Sequence, residues 1–513
     1  MERVLVIGGG IAGLCTALAL APPKGEDQIE REITILERDA PPPLGDPDEA
    51  FATWNRRGVG QQRQSHAFLA RLRNLIKDHH PALLQQLLDA GCREISFADM
   101  LPEAMRGGYQ AEPGDGQMVI LTSRRTTLEL VMRRYVETLA GVTIVPEAVV
   151  GGLTVETSPE GQLRVLGAHE ATGGKGGGGR TWTADLTIDA AGRTSQAAEQ
   201  LREAGAAIRE ESEDCGILYY TRHYRLLPSL SEPSREGAPG TGDLGFLKFG
   251  VFPGDNGCFS ITLCLPEVET AMRQAVMHPE TFDAICALLP GIARWTNTER
   301  AEPISKVFGM GDLHSRWRTF VAPDQRATLG FFAIGDSLIR TNPLYGRGCS
   351  FAAIEAFLLR DVLDEVSDPA ARARLYDLRV KSELTPYFDD MRTQDRSAIR
   401  RARQALDPDY VAPLKSKVMS SFLNDGVRIA LRSDIHLMRS ALRDFHMIDK
   451  PGVWLKQPAT IAKVVGRWAR GKRRNAELYP PSPGPGRAEM MLALGLDARR
   501  DMDAVAAEKI AAQ

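Results

Sequence analysis

The stretch that most limits the possible folds is VLVIGGGIAGL, residues 4–14, in which three consecutive glycines separate two apolar runs. Residues 4–7 read as a buried parallel strand, and residues 14–20 read as a buried helix that starts directly after Gly13. Gly8, Gly10 and Gly13 then occupy the strand-to-helix turn at the GxGxxG spacing. The first permits the tight turn, the second lets a pyrophosphate approach the backbone, and the third lets helix and strand pack closely. Ile11 and Ala12 lie between them, at a helix start whose free N–H groups and partial positive charge favour phosphate.

The next fifteen to twenty residues keep the order such a unit requires. Residues 33–36, ITIL, form a second apolar strand ending at Glu37 and Arg38, where a ribose-binding carboxylate is expected; the charged loop PPKGEDQIERE intervenes. An α/β domain with a dinucleotide site is therefore expected.

A chain of 513 residues is long enough for two or three domains of roughly 100–200 residues each. Its net charge of −3 gives no general attraction to nucleic acid, so an electrostatic partner requires a local patch, and RGKRR at 470–474 stands out. The seven cysteines form no CxxC pair, which argues against a zinc site and fits a reducing cytoplasm. Neither a charged leader ahead of Val4 nor a run of about 18 apolar residues is found, so a cytoplasmic chain is expected, at most peripheral at the inner membrane face.

Three distant stretches bear on which dinucleotide is bound. LTIDAAGRTS runs strand 186–188 into Asp189, then Gly192 and Arg193. Residues 331–334 form another strand, leading into Gly335 and Asp336. After a loop come Pro343, Gly346 and Gly348, then an amphipathic helix with Phe351, Ile354 and Leu358 on one face. SRRTTLELVMRRYV places Arg125 four residues ahead of Glu129 at the head of a helix.

Taken in order, these motifs resemble the FAD-dependent monooxygenases and epoxidases of the para-hydroxybenzoate hydroxylase fold, a family that includes flavin halogenases and geranylgeranyl-reductase-like enzymes. The resemblance covers roughly residues 1–370. It implies a Rossmann-like FAD-binding domain with an inserted, mostly antiparallel substrate sheet and a C-terminal helical region. By this similarity Gly8, Gly10 and Gly13 hold the pyrophosphate, Glu37 the adenosine ribose, Arg125 the phosphate–ribose region, and Asp336 the ribityl chain. Val150, in AVVGGL, lies near the adenine. Ile11, Ala12, Arg38, Asp189, Gly192 and Gly335 are further cofactor contacts.

Residues 343–350, with Pro343, Gly346, Gly348, Cys349 and Ser350, are expected along the isoalloxazine. A reduced flavin carries negative charge at N1 and the C2 carbonyl, which N–H groups at a glycine-rich helix start stabilise. RRGVGQQRQSHAFLARLRNLI resembles the family's loop that crosses near the flavin, with Gln61, Gln62 and His66 as lining candidates. Arg347, Tyr345 and His66 are the catalytic candidates, and Asn342 can enter the same pocket. Arg347 either holds an anionic substrate or the reduced flavin, or turns outward to a carboxylate. His66 and His223 are acid/base or structural groups.

The implied activity is that of an FAD-dependent oxidoreductase, a monooxygenase that hydroxylates or epoxidises a hydrophobic organic substrate with O2 through a C4a-hydroperoxyflavin. Two alternatives are an isoprenoid saturase or dehydrogenase of the geranylgeranyl-reductase type and a non-catalytic FAD-stabilised binding protein. Asp189-Ala190-Ala191-Gly192 replaces the usual Asp-Gly dipeptide, so electrons come either from NAD(P)H or from a separate flavin reductase. The halogenase WxWxIP signature is absent, since all six tryptophans stand alone. No second GxGxxG follows a strand.

The expected organisation is an FAD-binding domain over 1–210 with a substrate-side excursion at about 81–114, a substrate sheet over 211–324, a return segment over 325–370, and a helical region over 371–513. In the sheet, YYTRHYRLLP (219–228), FLKFGVF and CFSITLCL are strands, the last two joined by an Asp255-Asn256-Gly257 turn. The tract GGKGGGG, 173–179, reads as a hairpin loop. Pro458 precedes Ile461, Val464, Val465 and Trp468 at helical spacing, followed by RGKRR: a basic amphipathic helix over 458–474 that either rests on an anionic membrane or docks on the protein body. Residues 479–487 read as a linker, and the last segment as a loosely held helix.

Overall fold

Five parallel strands form the central sheet, in the spatial order Phe331–Ala333, Leu186–Asp189, Glu2–Ile7, Arg31–Leu36 and Val142–Val145. Ile7 pairs with both Leu36 and Asp189, and Asp189 pairs with Ala333, so the carboxyl ends of the strands align. The turns that succeed them, at Gly8, Glu37, Ala190 and Gly335, therefore open on one edge of the sheet, where such folds place their ligands. The computed structural model describes residues 1–21, 30–171, 179–234, 237–322 and 326–511. The charged loop at 22–29, most of the glycine tract at 173–179 and the boundary placed at 324/325 lie outside the described residues.

Both faces of this sheet are covered, which explains the unbroken apolar run over residues 4–7 of its central strand. Val4, Val6, Ile33 and Ile35 face the helices Ile11–Leu20 and Gly348–Glu365, while Leu5, Ile7 and Leu36 pack under Ala148, Ala168 and Ala184 around a small antiparallel sheet, Val150–Thr157, Leu163–Glu170 and Thr181–Thr183. The first helix begins at Ile11 rather than after Gly13. Gly13 thus lies in its first turn, where a Cβ would stand 1.9 Å from the Gly8 carbonyl oxygen; only glycine lets helix and strand approach so closely.

The second sheet is antiparallel and six-stranded, built on Lys248–Pro253, Cys258–Pro266 and Ile217–Leu226. The turn at Asn256 and Gly257 joins two of these strands, both residues having positive φ as a tight hairpin requires. One face packs against helices through Phe259, Leu263, Phe282, Ile285 and Ile292; the other presents Tyr219, Thr262 and Cys264 to a large cavity.

Behind both lies the Pro369–Leu406 helix, which buries Tyr376, Leu384, Tyr387, Phe388 and Met391. The last segment is not loosely held, contrary to the expectation from sequence. Met490 and Met491 are fully buried in the core of the second sheet, and Arg487 bridges Glu269 at 2.9 Å and Asp501 at 3.1 Å. Among the described residues, no helix is long and apolar enough to cross a membrane.

Candidate functional site

A single cavity of about 540 Å³ runs from the glycine turn to the antiparallel sheet. At its first end Gly8, Gly10, Ile11 and Ala12 form the wall. Gly8 has φ +106°, and a Cβ there would meet the Ala190 carbonyl oxygen at 2.5 Å. Gly10 differs: nothing lies within 4 Å of where its Cβ would stand, so the backbone is bare toward the cavity. A free N–H edge at a helix start fits the diphosphate of a dinucleotide. Gly13 supports this turn from behind and does not line the cavity.

Glu37 succeeds the second strand, as expected, and its carboxylate is built into the frame. Its oxygens accept the N–H groups of Gly9 and Asp39, each at 2.8 Å, and the Arg56 guanidinium at 2.5 Å. A carboxylate offers about four acceptor positions, so one remains for a ligand hydroxyl. Arg38 and Val150 line the same end.

Arg56, which sequence reasoning missed, bridges Glu37 and Glu129, and all three side chains are at most 4 % exposed. Arg125 pairs with Glu129 at 2.5 Å. Burial alone would push the Glu129 carboxyl up, but Arg125 and Arg56 outweigh it and hold the group ionised. One buried carboxylate thus orients two cations, and Arg125 faces the cavity. A buried arginine in a charged loop carries no local signature; only the Arg125–Glu129 spacing could have pointed here.

His66 is in the cavity wall, with Nδ1 2.9 Å from the Gln64 carbonyl oxygen and Nε2 3.3 Å from Arg125. Burial and the neighbouring Arg125 push its pKa down to about 3. The ring is neutral, and Nδ1–H donates to Gln64. Gln61 also lines the cavity, whereas Gln62 turns inward and its Oε1 accepts the Arg56 N–H. His223 is buried in the sheet with Nε2 on the Arg63 carbonyl.

At the middle of the cavity stand Asp189 and Asp336. The Asp189 carboxylate is occupied, accepting from Ser195 at 2.5 Å and from Ser337 at 3.1 Å, and Gly192 N–H donates to Ser337 Oγ at 2.9 Å. It clamps two strand ends. Asp336 is the opposite case: it lines the cavity, and its carboxylate has no hydrogen-bond or ion-pair partner among the described residues. Burial pushes its pKa up, and Arg340, Arg125 and Arg316 oppose that. A carboxylate left free in a cleft fits a polyhydroxylated ligand chain. Behind it Gly335 N–H donates to the buried Glu355 at 2.5 Å.

The far end is apolar. Phe249, Phe252, Met310, Leu442 and Phe445 close it, with Pro343, Tyr345, Gly346, Gly348 and Cys349 along one side. Gly346 adopts φ +64°, as a residue in the left-handed region that ends the Pro343–Tyr345 turn. Ser350 is buried beneath this side and does not line the cavity.

No family model matches the chain. Protein Rv3254 of Mycobacterium tuberculosis (strain ATCC 25618 / H37Rv) is 28 % identical over 375 residues, 71 % of this chain and 73 % of that protein. Among solved structures, the flavin-dependent brominase Bmp2 superposes with a TM-score of 0.55 at 17 % identity, over 91 % of this chain and 99 % of the other. The p-nitrophenol 4-monooxygenase PnpA from Pseudomonas putida DLL-E4 gives 0.55 at 15 % identity, over 88 % and 99 %. This chain has the fold of flavin-dependent monooxygenases and halogenases.

Within that fold one catalytic candidate is misplaced. Arg347 lies between two cavity-lining glycines, yet its guanidinium turns away from the cavity. Nη1 donates to the Tyr387 carbonyl at 3.1 Å and to Asp390 at 3.2 Å, and the group sits between the rings of Tyr345 and Tyr387. The cause is the long helix packed behind this turn, which offers a carbonyl, a carboxylate and two aromatic faces. Tyr345 does reach the cavity, while its hydroxyl donates to Asp395 at 2.8 Å. Asn342 is buried, donating to Asp395 and accepting from Tyr219 at 2.6 Å.

Proposed function

We propose that the protein is an FAD-dependent oxidoreductase of the cytoplasm, a monooxygenase that hydroxylates or epoxidises a hydrophobic organic substrate. The observation that carries this reading is the continuity of one cavity, from a bare glycine turn past a free carboxylate to an apolar end. Gly8, Gly10 and the start of the Ile11–Leu20 helix would hold the diphosphate, Glu37 the adenosine ribose, and Asp336 the ribityl hydroxyls. Residues 343–350 would lie along the ring system, their N–H groups facing its pyrimidine edge. Bound there, the flavin supplies electron transfer to O2 and delivery of oxygen.

The chain's own part is positioning and exclusion of water. Phe249, Phe252, Leu442 and Phe445 would hold a lipophilic substrate and limit the entry of water. No general base is called for: His66 is neutral and committed to Gln64 and Arg125. Electrons would come from NAD(P)H bound transiently or from a separate flavin reductase, and O2 is the co-substrate.

Stopped-flow absorption tests the reading. The purified protein is photoreduced without oxygen, then mixed with oxygen, with and without lipophilic alkenes and aromatics. A transient at roughly 370–390 nm before oxidised flavin returns supports oxygen insertion. Direct return of oxidised flavin under every condition overturns it and favours the isoprenoid saturase.

A further inference from the structure

Exposed apolar side chains concentrate in one part of the C-terminal region. The Leu414–Ser421 helix buries none of its residues. Leu414 is 77 % exposed, Val418 46 %, Met419 52 % and Leu423 49 %; Leu414 and Val418 stand one turn apart on a single face. On the neighbouring Pro458–Arg474 helix, Ile461 and Val465 are 45 % and 42 % exposed at the same spacing. These two helices are fixed together. The wide turn Phe422–Val427 packs Gly426 under Val464 and Trp468, Phe422 meets the Trp468 ring edge-on at 5.4 Å, and Trp468 Nε1 donates to Ser421 at 3.1 Å.

Charge is concentrated in the same stretch of chain. Residues 411–474 hold 14 Lys and Arg against 4 Asp and no Glu, within a chain of net charge −3. Several cations are tied down, such as Lys463 to Asp434. Lys415, Lys417, Lys456, Arg470, Arg473 and Arg474 are exposed and have no carboxylate partner among the described residues. The region also reaches the cavity. The Ile435–Phe445 helix packs Leu437 against Val464 and contributes Leu442 and Phe445 to the cavity wall, and Phe445 is itself 48 % exposed.

Uncovered aliphatic side chains and unpaired cations carried by the same pair of joined helices and their neighbours call for a partner that is both apolar and anionic. A second copy of this chain would set two strongly basic surfaces against each other. Nucleic acid would neutralise the cations but leave leucine, valine and methionine without a counterpart, since these side chains offer bases no stacking face. We propose that residues 411–474 seat the protein on an anionic membrane surface. Leu414, Val418, Leu423, Ile461 and Val465 enter the acyl boundary and the cations lie over the headgroups. The cavity mouth at Phe445 then stands beside the bilayer, where lipophilic molecules are concentrated. The proposal concerns binding and does not depend on the reaction catalysed.

Co-sedimentation of the full-length protein with vesicles tests it, using phosphatidylcholine alone and phosphatidylcholine mixed with phosphatidylglycerol. The wild type should pellet with the mixed vesicles and at least roughly tenfold less with phosphatidylcholine alone. Leu414→Asp/Val418→Asp and Lys415→Glu/Lys417→Glu should each weaken binding to mixed vesicles roughly tenfold or more. Their thermal midpoints should match the wild type, since all four positions are exposed. Equal pelleting with both vesicle types, or variants that bind as the wild type does, overturns the proposal. So does tighter binding to a DNA duplex than to mixed vesicles, or a lipid-free dimer that Leu414→Asp/Val418→Asp converts to monomer.

Discussion

Tyr345 donates its hydroxyl hydrogen to Asp395 Oδ1 at 2.8 Å, and Asn342 Nδ2 donates to the same oxygen at 2.9 Å. A carboxylate on the long helix thereby pins, from behind, the turn that carries the cavity-lining glycines. The other oxygen of Asp395 is buried without a partner.

Burial pushes the Asp395 carboxyl up to about 6, against the hydrogen bonds from Tyr345 and Asn342. Because the folded-state pKa lies above the unfolded one, the associated stabilisation is fully present below the unfolded value. It is lost as pH rises through about 6. Asp395→Asn removes the titration. The wild type's unfolding free energy, relative to this variant, should fall by roughly 2–3 kcal/mol between about pH 4 and about pH 7.5. Urea titrations at the two pH values measure it, and a constant difference would mean that the site leaves this carboxyl unperturbed.

Removing Arg56 takes the shared cation from two buried carboxylates, leaving Glu129 to Arg125 and Glu37 to the N–H groups of Gly9 and Asp39. Arg56→Met should cost about 3–5 kcal/mol, as for a buried ion pair broken on one side. Arg56→Lys keeps the charge but cannot span Glu37 and Glu129 in the same fork, so it should recover only part of the loss. Chemical denaturation of both variants decides, and a loss below about 1 kcal/mol for the methionine variant would show the network to be dispensable.

Asp336 offers the converse experiment. Its carboxylate has no partner to lose, so Asp336→Ala should leave apoprotein stability within about 1 kcal/mol of the wild type. Bound flavin should disappear from the purified protein, read as the ratio of flavin to protein absorbance after gel filtration. Full flavin occupancy would sink the assignment.

For Arg347 the sequence leaves two readings, a role in flavin or substrate handling and an outward pairing with a carboxylate. The structure makes it a stability residue, since its partners are the Tyr387 carbonyl and Asp390. Arg347→Leu should destabilise the protein by roughly 1–3 kcal/mol. The flavin spectrum and the rate of flavin reduction should stay at wild-type values; a tenfold change in that rate with stability intact would reverse the assignment.

The parts of the site legible in sequence are those whose chemistry is local. Gly8, Gly10 and Gly13 are fixed by one turn, and Asp336 and Gly346 succeed a strand end and precede a helix start that periodicity reveals. The illegible parts depend on partners far along the chain. Arg56 meets Glu129 across 73 positions, and Tyr345 meets Asp395 across 50. Arg347 is misplaced for the same reason: its direction is set by a helix whose relevant residues begin 40 positions later. Met490 and Met491 give little signal, because a short apolar run after a proline-rich stretch shows which of its residues are buried only once a core exists to receive them.

The clamp between Asp189 and Ser337, together with the pairing of Leu186–Asp189 with Phe331–Ala333, ties the two halves of the cleft across more than a hundred intervening residues. A nascent chain emerging from the ribosome therefore has its glycine turn early, but no closed cleft until the segment through Glu355 has emerged. If the cleft holds a flavin as proposed, its insertion would then be a late event in biosynthesis. A chain truncated within the antiparallel sheet would be released without the ability to retain it, however well its first strands had formed.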